Sequence, residues 1–228
     1  MDEKKRWNSI DNYMEEHTDD LVTLPLLDSY VFKNNFKGLS TILSRYKFVA
    51  KMLMGKKNVI EVGCNAGFKS TLLLQFVDNV VGIDYDQEQI DFAKKNYENE
   101  RIKFLCKDIF EIDRCGVNGI YNDAIFALDV IEHISPEKED EFIEKMILNI
   151  HENGICIIGT PNITASKYQS ESSKLAHINL YSYDRLKALM DKYFYNTFLF
   201  GMNDEVVHVG FPQMSHYLFV IGVGVKKY

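Results

Sequence analysis

A glycine-containing loop between residues 61 and 67 carries the clearest chemical signal in the sequence. The largely apolar run Val59–Val62 ends at Gly63, and Gly67 follows shortly after it. Glycine lets the backbone approach a ligand closely where a Cβ atom would collide. The free N–H groups at the start of a following helix attract polar or anionic atoms. We therefore expect this loop to bind a cofactor, the alternative being a tight strand-to-helix turn without a ligand.

An acidic residue ends the next apolar run and gives the loop a partner. Val80–Asp84 finishes in a carboxylate, which can accept hydrogen bonds from both hydroxyls of a ribose bound across the loop. A dinucleotide-binding loop would have glycines at positions 63, 65 and 68, but Asn65 and Phe68 occupy two of these positions. The pair therefore favours a ribose-bearing cofactor other than a nicotinamide dinucleotide, although Asp84 alone could be a helix cap.

Together these residues resemble the class I S-adenosylmethionine-dependent methyltransferases. The residues that carry the resemblance are Glu61, Gly63, Asn65, Gly67, Asp84 and, after the third predicted strand, Asp108. The resemblance implies that all six bind the cofactor, with the glycine loop against its methionine part. It also implies that Asp84 holds the ribose, that Asp108 holds the adenine amino group, and that Leu128 supplies a backbone contact.

Two positions bear on how the cofactor is held. Asn65 stands where the family usually has glycine, but asparagine tolerates left-handed backbone angles better than most residues. We therefore expect binding to persist, the alternative being weakened binding or lost activity. Ser44–Phe48 looks like the R-Y-x-F segment that precedes the first strand in many small-molecule methyltransferases. By that resemblance Arg45 is predicted to bind the cofactor carboxylate, which suits its planar guanidinium; a surface arginine is the alternative.

The segment after the fourth predicted strand resembles the D-V-x-E-H signature of small-molecule methyltransferases, including the ubiquinone-biosynthesis O-methyltransferases. In the latter group a carboxylate-x-x-Glu-His set can hold a divalent metal. The resemblance thus implies that Asp129, Glu132 and His133 could bind an ion such as Mg²⁺ through oxygen and imidazole ligands. The alternative is that Glu132 and His133 only brace the loop.

Three histidines are candidates for the general base that removes a proton from a hydroxyl acceptor. His177 is the first choice, because it follows the segment Thr160–Asn162 and an imidazole can take a proton near neutral pH. A structural histidine that caps a helix is the alternative. His133 is a second candidate. His208 is the third, in a long polar connection that could bind substrate or metal, or form a subunit contact.

The elements that must position these residues are predicted to form an α/β fold. Seven short runs rich in β-branched residues are predicted strands: Asn58–Val62, Val80–Asp84, Ile102–Cys106, Ala124–Leu128, Gly154–Gly159, Thr197–Gly201 and Tyr217–Val225. Continuous apolar strands separated by helical segments are typical of a doubly wound, mostly parallel sheet. The last two strands have no helix between them, which predicts an antiparallel terminal strand. This is the Rossmann-like methyltransferase fold that the resemblance implies.

The first forty residues differ from the rest in being polar, acidic and aromatic. We interpret residues 1–40 as an N-terminal helical cap, and residues 41–228 as the methyltransferase domain. Aromatic side chains such as Trp7, Tyr13 and Tyr30 would then form a lid that keeps water from the acceptor. The alternative is a cap that simply packs on the core.

Composition restricts the class of partner. The 228 residues include 26 Lys and Arg against 33 Asp and Glu, giving a net charge of −7, the wrong sign for nonspecific nucleic-acid binding. The longest apolar stretch, Tyr217–Val225, is too short to span a bilayer, and the N-terminal residues lack the apolar core of a signal peptide. The four cysteines show neither metal-type spacing nor the density of a disulfide scaffold. We expect a cytoplasmic protein, which could form homo-oligomers.

The sequence thus predicts an enzyme that transfers a methyl group from S-adenosylmethionine to an oxygen of a small polar acceptor. A sugar, a sugar nucleotide or another precursor of a bacterial surface glycan is the first choice of acceptor. The alternatives are a quinone-type phenol as acceptor, a noncatalytic cofactor-binding module of the same fold, and a nicotinamide-dependent reductase.

Overall fold

The computed structural model describes residues 3–17 and 22–226. Its centre is one mixed sheet whose strands are β1 (Asn58–Val62), β2 (Asn79–Asp84), β3 (Ile102–Cys106), β4 (Asn122–Leu128), β5 (Ile150–Pro161), β6 (Phe194–Asn203), β7 (Val206–His208) and β8 (Tyr217–Val225). The strand order is β3-β2-β1-β4-β5-β8-β6-β7. Strands β1 to β5 pair in parallel, and β8 lies antiparallel between β5 and β6. The doubly wound sheet with an antiparallel terminal strand is confirmed.

The described part of the chain has eight strands where seven were expected. The extra one, β7, contributes only Val206, Val207 and His208, and it pairs with the end of β6 across the turn that Asp204 makes in a left-handed conformation. Three residues are too few to show a repeating side-chain pattern. This strand was therefore not recognisable in the sequence.

Seven α-helices surround the sheet in the described residues: α1 (Glu3–His17), α2 (Leu26–Asn34), α3 (Phe36–Met52), α4 (Gln87–Tyr97), α5 (Glu139–Ile147), α6 (Glu171–Ala176) and α7 (Tyr183–Tyr193). The expected caps are present. The Asp86 carboxylate accepts hydrogen bonds from two backbone N–H groups at the start of α4, and Ser182 caps α7. The segment after the glycine loop differs from expectation, because Lys69–Gln75 is a 3₁₀ helix rather than an α-helix.

Both faces of the sheet are buried, which is why its strands lack polar alternation. In β4, Phe126 packs into one apolar cluster and Ile125 packs into the other, on the opposite face. Tyr46 and Val49 of α3 join the first of these clusters, whereas helices α5 and α7 join the second. Burial on two sides holds the sheet rigidly, so that only the ends of its strands are free to form a site.

The N-terminal helices are less tightly packed than the rest. The side chains of residues 3–16 in α1 are exposed, including Trp7 and Tyr13. Helix α3 runs without interruption through position 40, where the sequence suggested that a cap ends. Within the described ranges, no helix is both long and apolar enough to cross a membrane.

Candidate active site

The carboxyl ends of the parallel strands open into a cavity of about 910 Å³. Strands β1, β2, β4 and β5 all end at its wall, as expected for ligand sites in open α/β sheets. The predicted site residues that line it are Arg45, Gly63, Asn65, Asp84, Leu128, Asp129, His133 and His177. Five other predicted residues are not among the residues that line it: Glu61, Gly67, Asp108, Glu132 and His208.

The glycine loop requires its two glycines for a reason that the sequence did not show. Gly63 and Gly67 both have φ near +76°, a conformation that favours glycine. A Cβ atom on Gly63 would lie 2.4 Å from a methyl group of Val130, and one on Gly67 would lie 2.6 Å from the ring of Phe104. The close approaches are therefore to the protein's own side chains. The expectation that a Cβ would collide with a ligand is replaced by collisions within the protein.

Asn65 and Asp84 are joined directly at the cavity wall. Asn65 has φ of 51°, the left-handed conformation expected for it, and its side-chain oxygen accepts a hydrogen bond from the N–H of Ala66 at 2.8 Å. The Asn65 N–H donates to Asp84 Oδ2 at 2.9 Å, and the Asp86 N–H donates to Asp84 Oδ1 at 3.0 Å. Each carboxylate oxygen has a further lone pair. Asp84 is thus fixed by the loop and can still accept hydrogen bonds from two ribose hydroxyls.

Two acids of the motif lie behind the cavity wall. Glu61 is 1% exposed, and the Tyr46 hydroxyl donates to its Oε1 at 2.6 Å. Burial raises the pKa of Glu61. Asp108 caps the short turn Ile109–Glu111 by accepting a hydrogen bond from the N–H of Phe110. Both carboxylates therefore stabilise local structure in this conformation, and their predicted contacts with a cofactor are not part of the cavity wall.

Arg45 is held between an acid and an aromatic ring. Its Nη1 lies 2.8 Å from both carboxylate oxygens of Asp129, and its guanidinium carbon lies 3.8 Å from the ring centroid of Tyr217. Asp129 itself has φ of 56°, which turns the chain sharply at the end of β4. A charged hydrogen bond and a cation–π contact together fix this guanidinium.

His133 and His177 face one another at the cavity, although 44 positions separate them in the chain. Their ring centroids are 5.0 Å apart, and their planes are nearly perpendicular at 72°. Nδ1 of His133 lies 2.9 Å from the carbonyl oxygen of Ala176, and Nδ1 of His177 lies 3.1 Å from the amide nitrogen of Gln169. Burial and the neighbouring His133 lower the pKa of His177. Both imidazoles are thus positioned at the site, and His177 is kept neutral.

Glu132 braces the loop on which these histidines lie. It is fully buried, and Thr160 Oγ1 donates to its Oε2 at 3.0 Å. Its backbone carbonyl accepts hydrogen bonds from the N–H groups of Ile178 and Asn179, both at 3.0 Å. Burial, with the nearby negative charge of Asp129, raises the pKa of Glu132 to about 8. These contacts fit the bracing role that the sequence left open.

The structure does not bring together the metal ligands that the sequence suggested. Asp129 is paired with Arg45, and the atoms that cluster within 4.8 Å belong instead to Glu132, His133 and His177. This set offers one carboxylate and two imidazoles, whereas Mg²⁺ prefers oxygen ligands in octahedral geometry. The set therefore does not fit magnesium, and no step of the chemistry is derived through a metal.

Several residues of the cavity were not selected from the sequence. Tyr168 and His216 line it with ring centroids 6.3 Å apart, and Lys69 lines it beside the glycine loop. Tyr168 and Lys69 carry no motif that would have identified them. His208, by contrast, accepts a hydrogen bond from the N–H of Gly210 on β7 and lies outside the cavity wall.

A second cavity, of about 810 Å³, lies at the opposite edge of the sheet. It is lined by residues near the amino ends of β4 and β5, such as Tyr121 and His151, and by the end of β8. None of the predicted site residues lines it. The chemistry-bearing residues therefore converge on one edge of the sheet.

Comparisons with known proteins agree with this arrangement. A family profile described as a methyltransferase domain matches residues 54–200, more than half of the chain. A ubiquinone biosynthesis O-methyltransferase of Rickettsia conorii is 34% identical over 119 residues, which are 50% of this chain and 38% of that relative's length.

Solved structures share the fold at lower identity. The methyltransferase domain of bacterial CtHen1-C superposes with a TM-score of 0.64 at 20% identity, covering 81% of this chain and 99% of that one. The N-methyltransferase NodS from Bradyrhizobium japonicum in complex with S-adenosyl-L-homocysteine superposes with a TM-score of 0.60 at 13% identity, covering 85% and 90%. The chain belongs to the methyltransferase-domain family and has the fold of the class I S-adenosylmethionine-dependent methyltransferases.

Proposed function

We propose that this protein transfers the methyl group of S-adenosylmethionine to a hydroxyl oxygen of a small acceptor. The observation that carries the proposal is that two neighbouring imidazoles line the same cavity as the glycine loop and Asp84. Transfer to a hydroxyl needs a cofactor site, a place for the acceptor beside it, and a base that takes the proton. All three requirements have candidates in one cavity.

His133 is the better placed of the two bases. A carbonyl oxygen only accepts hydrogen bonds, so the contact with Ala176 requires the proton of a neutral His133 ring to be on Nδ1. Its Nε2 then has a free lone pair that can accept the acceptor's proton. His177 was the first choice from the sequence; in this proposal it packs against His133 and, with its lowered pKa, adds no competing positive charge.

The acceptor we propose is a phenol of the quinone-precursor type. Tyr168 and His216 supply aromatic surface on the acceptor side of the cavity, and stacking favours a planar ring. The similarity to the Rickettsia enzyme, named for ubiquinone biosynthesis, supports the same class. No relative described above has a name that points to a sugar, so the glycan precursor becomes the comparison acceptor in the test. We further propose a cytoplasmic enzyme without a nucleic-acid partner, with homo-oligomer formation open to measurement.

The proposal is tested with the full chain, S-adenosylmethionine carrying a labelled methyl group, and two acceptor panels. One panel contains catechol-type phenols, and the other contains sugar nucleotides. Labelled phenol ether together with S-adenosylhomocysteine is the expected result. Methylation of sugar nucleotides alone would overturn the acceptor class, and binding of the cofactor without transfer to either panel would favour a noncatalytic module. A nicotinamide dinucleotide titration serves as the control for the reductase alternative.

A further inference from the structure

The cavity wall contains a second ion pair, which links the N-terminal segment to the glycine loop. Lys69, two positions after Gly67, lines the cavity with its side chain only 15% exposed. Its Nζ lies 3.1 and 3.4 Å from the carboxylate oxygens of Asp28 in α2. The Asp28 side chain is 4% exposed, and an unpaired carboxylate buried to that extent would be strongly destabilising.

The cofactor of the proposed function makes a specific demand on this wall. Its only anionic group is the carboxylate of the methionine moiety, and Asp84, Asp86 and Asp129 all line the cavity. Among the described lining residues, the side-chain cations other than histidine are Arg45 and Lys69. The carboxylate therefore needs one of these two cations.

Arg45 belongs to the acceptor side of the cavity. It stacks on Tyr217, and with Tyr217 and His216 it also lines an adjoining cavity of about 370 Å³ that does not include the glycine loop. Lys69, in contrast, immediately follows the loop and lies close enough to the buried Glu61 to oppose the rise in that residue's pKa. The methionine part of the cofactor is expected against this loop, so Lys69 is the cation on the correct side.

We propose that Lys69 binds the carboxylate of the methionine moiety, and that Asp28 is a positioning residue that holds the ammonium at the cavity wall. The inference rests on the proposed function. A lysine ammonium has three N–H donors, so it can serve a ligand while paired with Asp28. Helix α2 thereby becomes part of the cofactor site, a role more specific than that of a lid over the acceptor.

The test compares two ligands that differ in the amino-acid end. S-adenosylhomocysteine has the carboxylate, and 5′-methylthioadenosine has the same nucleoside and thioether without it. In Lys69→Met, the affinity for S-adenosylhomocysteine should fall roughly 10- to 100-fold, as expected for a charged hydrogen bond. The affinity for methylthioadenosine should stay within about twofold of the wild type. Lys47→Met, which removes an exposed lysine of α3, is the matched control and should change neither.

Asp28 is tested by coupling. Asp28→Asn should weaken S-adenosylhomocysteine binding about three- to tenfold in the wild-type background and have no effect when Lys69 is already Met. Because Lys69→Met leaves the buried Asp28 carboxylate unpaired, the double variant Asp28→Asn with Lys69→Met is also measured. It removes both charges at once and should show the same ligand discrimination as Lys69→Met.

The outcomes separate this inference from the proposed function. Equal loss of both ligands in a folded Lys69 variant, or no loss of either, would overturn the role of Lys69 while cofactor binding by the wild type stands. Tighter binding by Asp28→Asn would overturn the positioning role, since Asp28 would then compete with the cofactor. Failure of the wild type to bind either ligand would overturn the cofactor assignment itself, and the inference with it.

Discussion

Nδ1 of His133 lies 2.9 Å from the carbonyl oxygen of Ala176, and this contact determines which nitrogen of the ring can act as a base. The carbonyl belongs to the last residue of α6, the helix that immediately precedes His177. One short helix therefore sets the tautomer of His133 and also places His177 against its ring.

The first prediction concerns the two imidazoles. We expect His133→Ala to lower kcat about 10²- to 10⁴-fold, the usual range for loss of a general base. His177→Ala should have a smaller effect, because it removes only a packing neighbour. His151→Asn, at the opposite edge of the sheet, is the control. Steady-state kinetics with saturating cofactor measure the change, and a larger loss for His177→Ala would reverse the two roles.

The second prediction concerns the cofactor. In Asp84→Ala, S-adenosylmethionine affinity should fall at least about tenfold, because the side chain both accepts from the ribose and fixes the loop through Asn65. Calorimetric titration gives the dissociation constant. The Asp86 N–H also loses its partner, so circular dichroism must show that the variant is folded. Unchanged affinity in a folded variant would rule out Asp84 as a cofactor ligand.

The third prediction concerns the glycine loop. Gly67→Ala should cost about 2–4 kcal/mol of unfolding free energy, since the new Cβ adds both an unfavourable φ and a contact 2.6 Å from Phe104. Gly55→Ala is a matched control, because Gly55 has φ of +80° with no atom within 4 Å of the added Cβ. It should cost only about 1 kcal/mol. Urea denaturation compares the two, and equal costs would contradict a packing role for Gly67.

The fourth prediction follows from the buried carboxyl of Glu132. Its folded pKa, about 8, lies above its ordinary value of 4.5, so the folded state holds the proton more tightly than the unfolded state. The stability that this group contributes is complete below about pH 4.5 and is lost as the pH rises through about 8.

Glu132→Gln removes this titration and keeps an acceptor for Thr160. The difference in melting temperature between variant and wild type should therefore shift in favour of the variant by at least about 4 °C between pH 5 and pH 8. Differential scanning fluorimetry measures it, and the comparison cancels groups common to both proteins. A difference independent of pH would show that Glu132 is ionised throughout.

The fifth prediction concerns metal dependence. Because Asp129 is paired with Arg45 and the remaining donors do not suit magnesium, turnover should not change after treatment with a chelator. The assay compares initial rates before and after dialysis against EDTA. Loss of activity that added Mg²⁺ restores would contradict the ligand argument.

Elements with local signals could be predicted from the sequence. The seven apolar runs correspond to strands, Ser182 and Asp86 cap helices as expected, and Asn65 adopts the left-handed conformation. Each of these depends on a few neighbouring residues. The 3₁₀ helix after the loop was missed because its sequence is equally compatible with an α-helix.

Relationships across the chain could not be predicted in this way. The meeting of His133 with His177, and that of Asp28 with Lys69, depend on how helices dock on the sheet. No periodicity or motif specifies such a distance. The same holds for Gly63, whose need for glycine arises from Val130, a residue far along the chain.

The position of β8 in the sheet has a consequence for biosynthesis. Residues 217–225 leave the ribosome after every other described strand, yet they lie between β5 and β6 and hydrogen-bond to both. Until they emerge, β5 has one edge without its neighbour, and such edges promote aggregation. The nascent chain can assemble β1 to β5 early, but it cannot complete the sheet until translation has passed residue 225. Synonymous changes that slow elongation just before β8 would prolong this vulnerable interval.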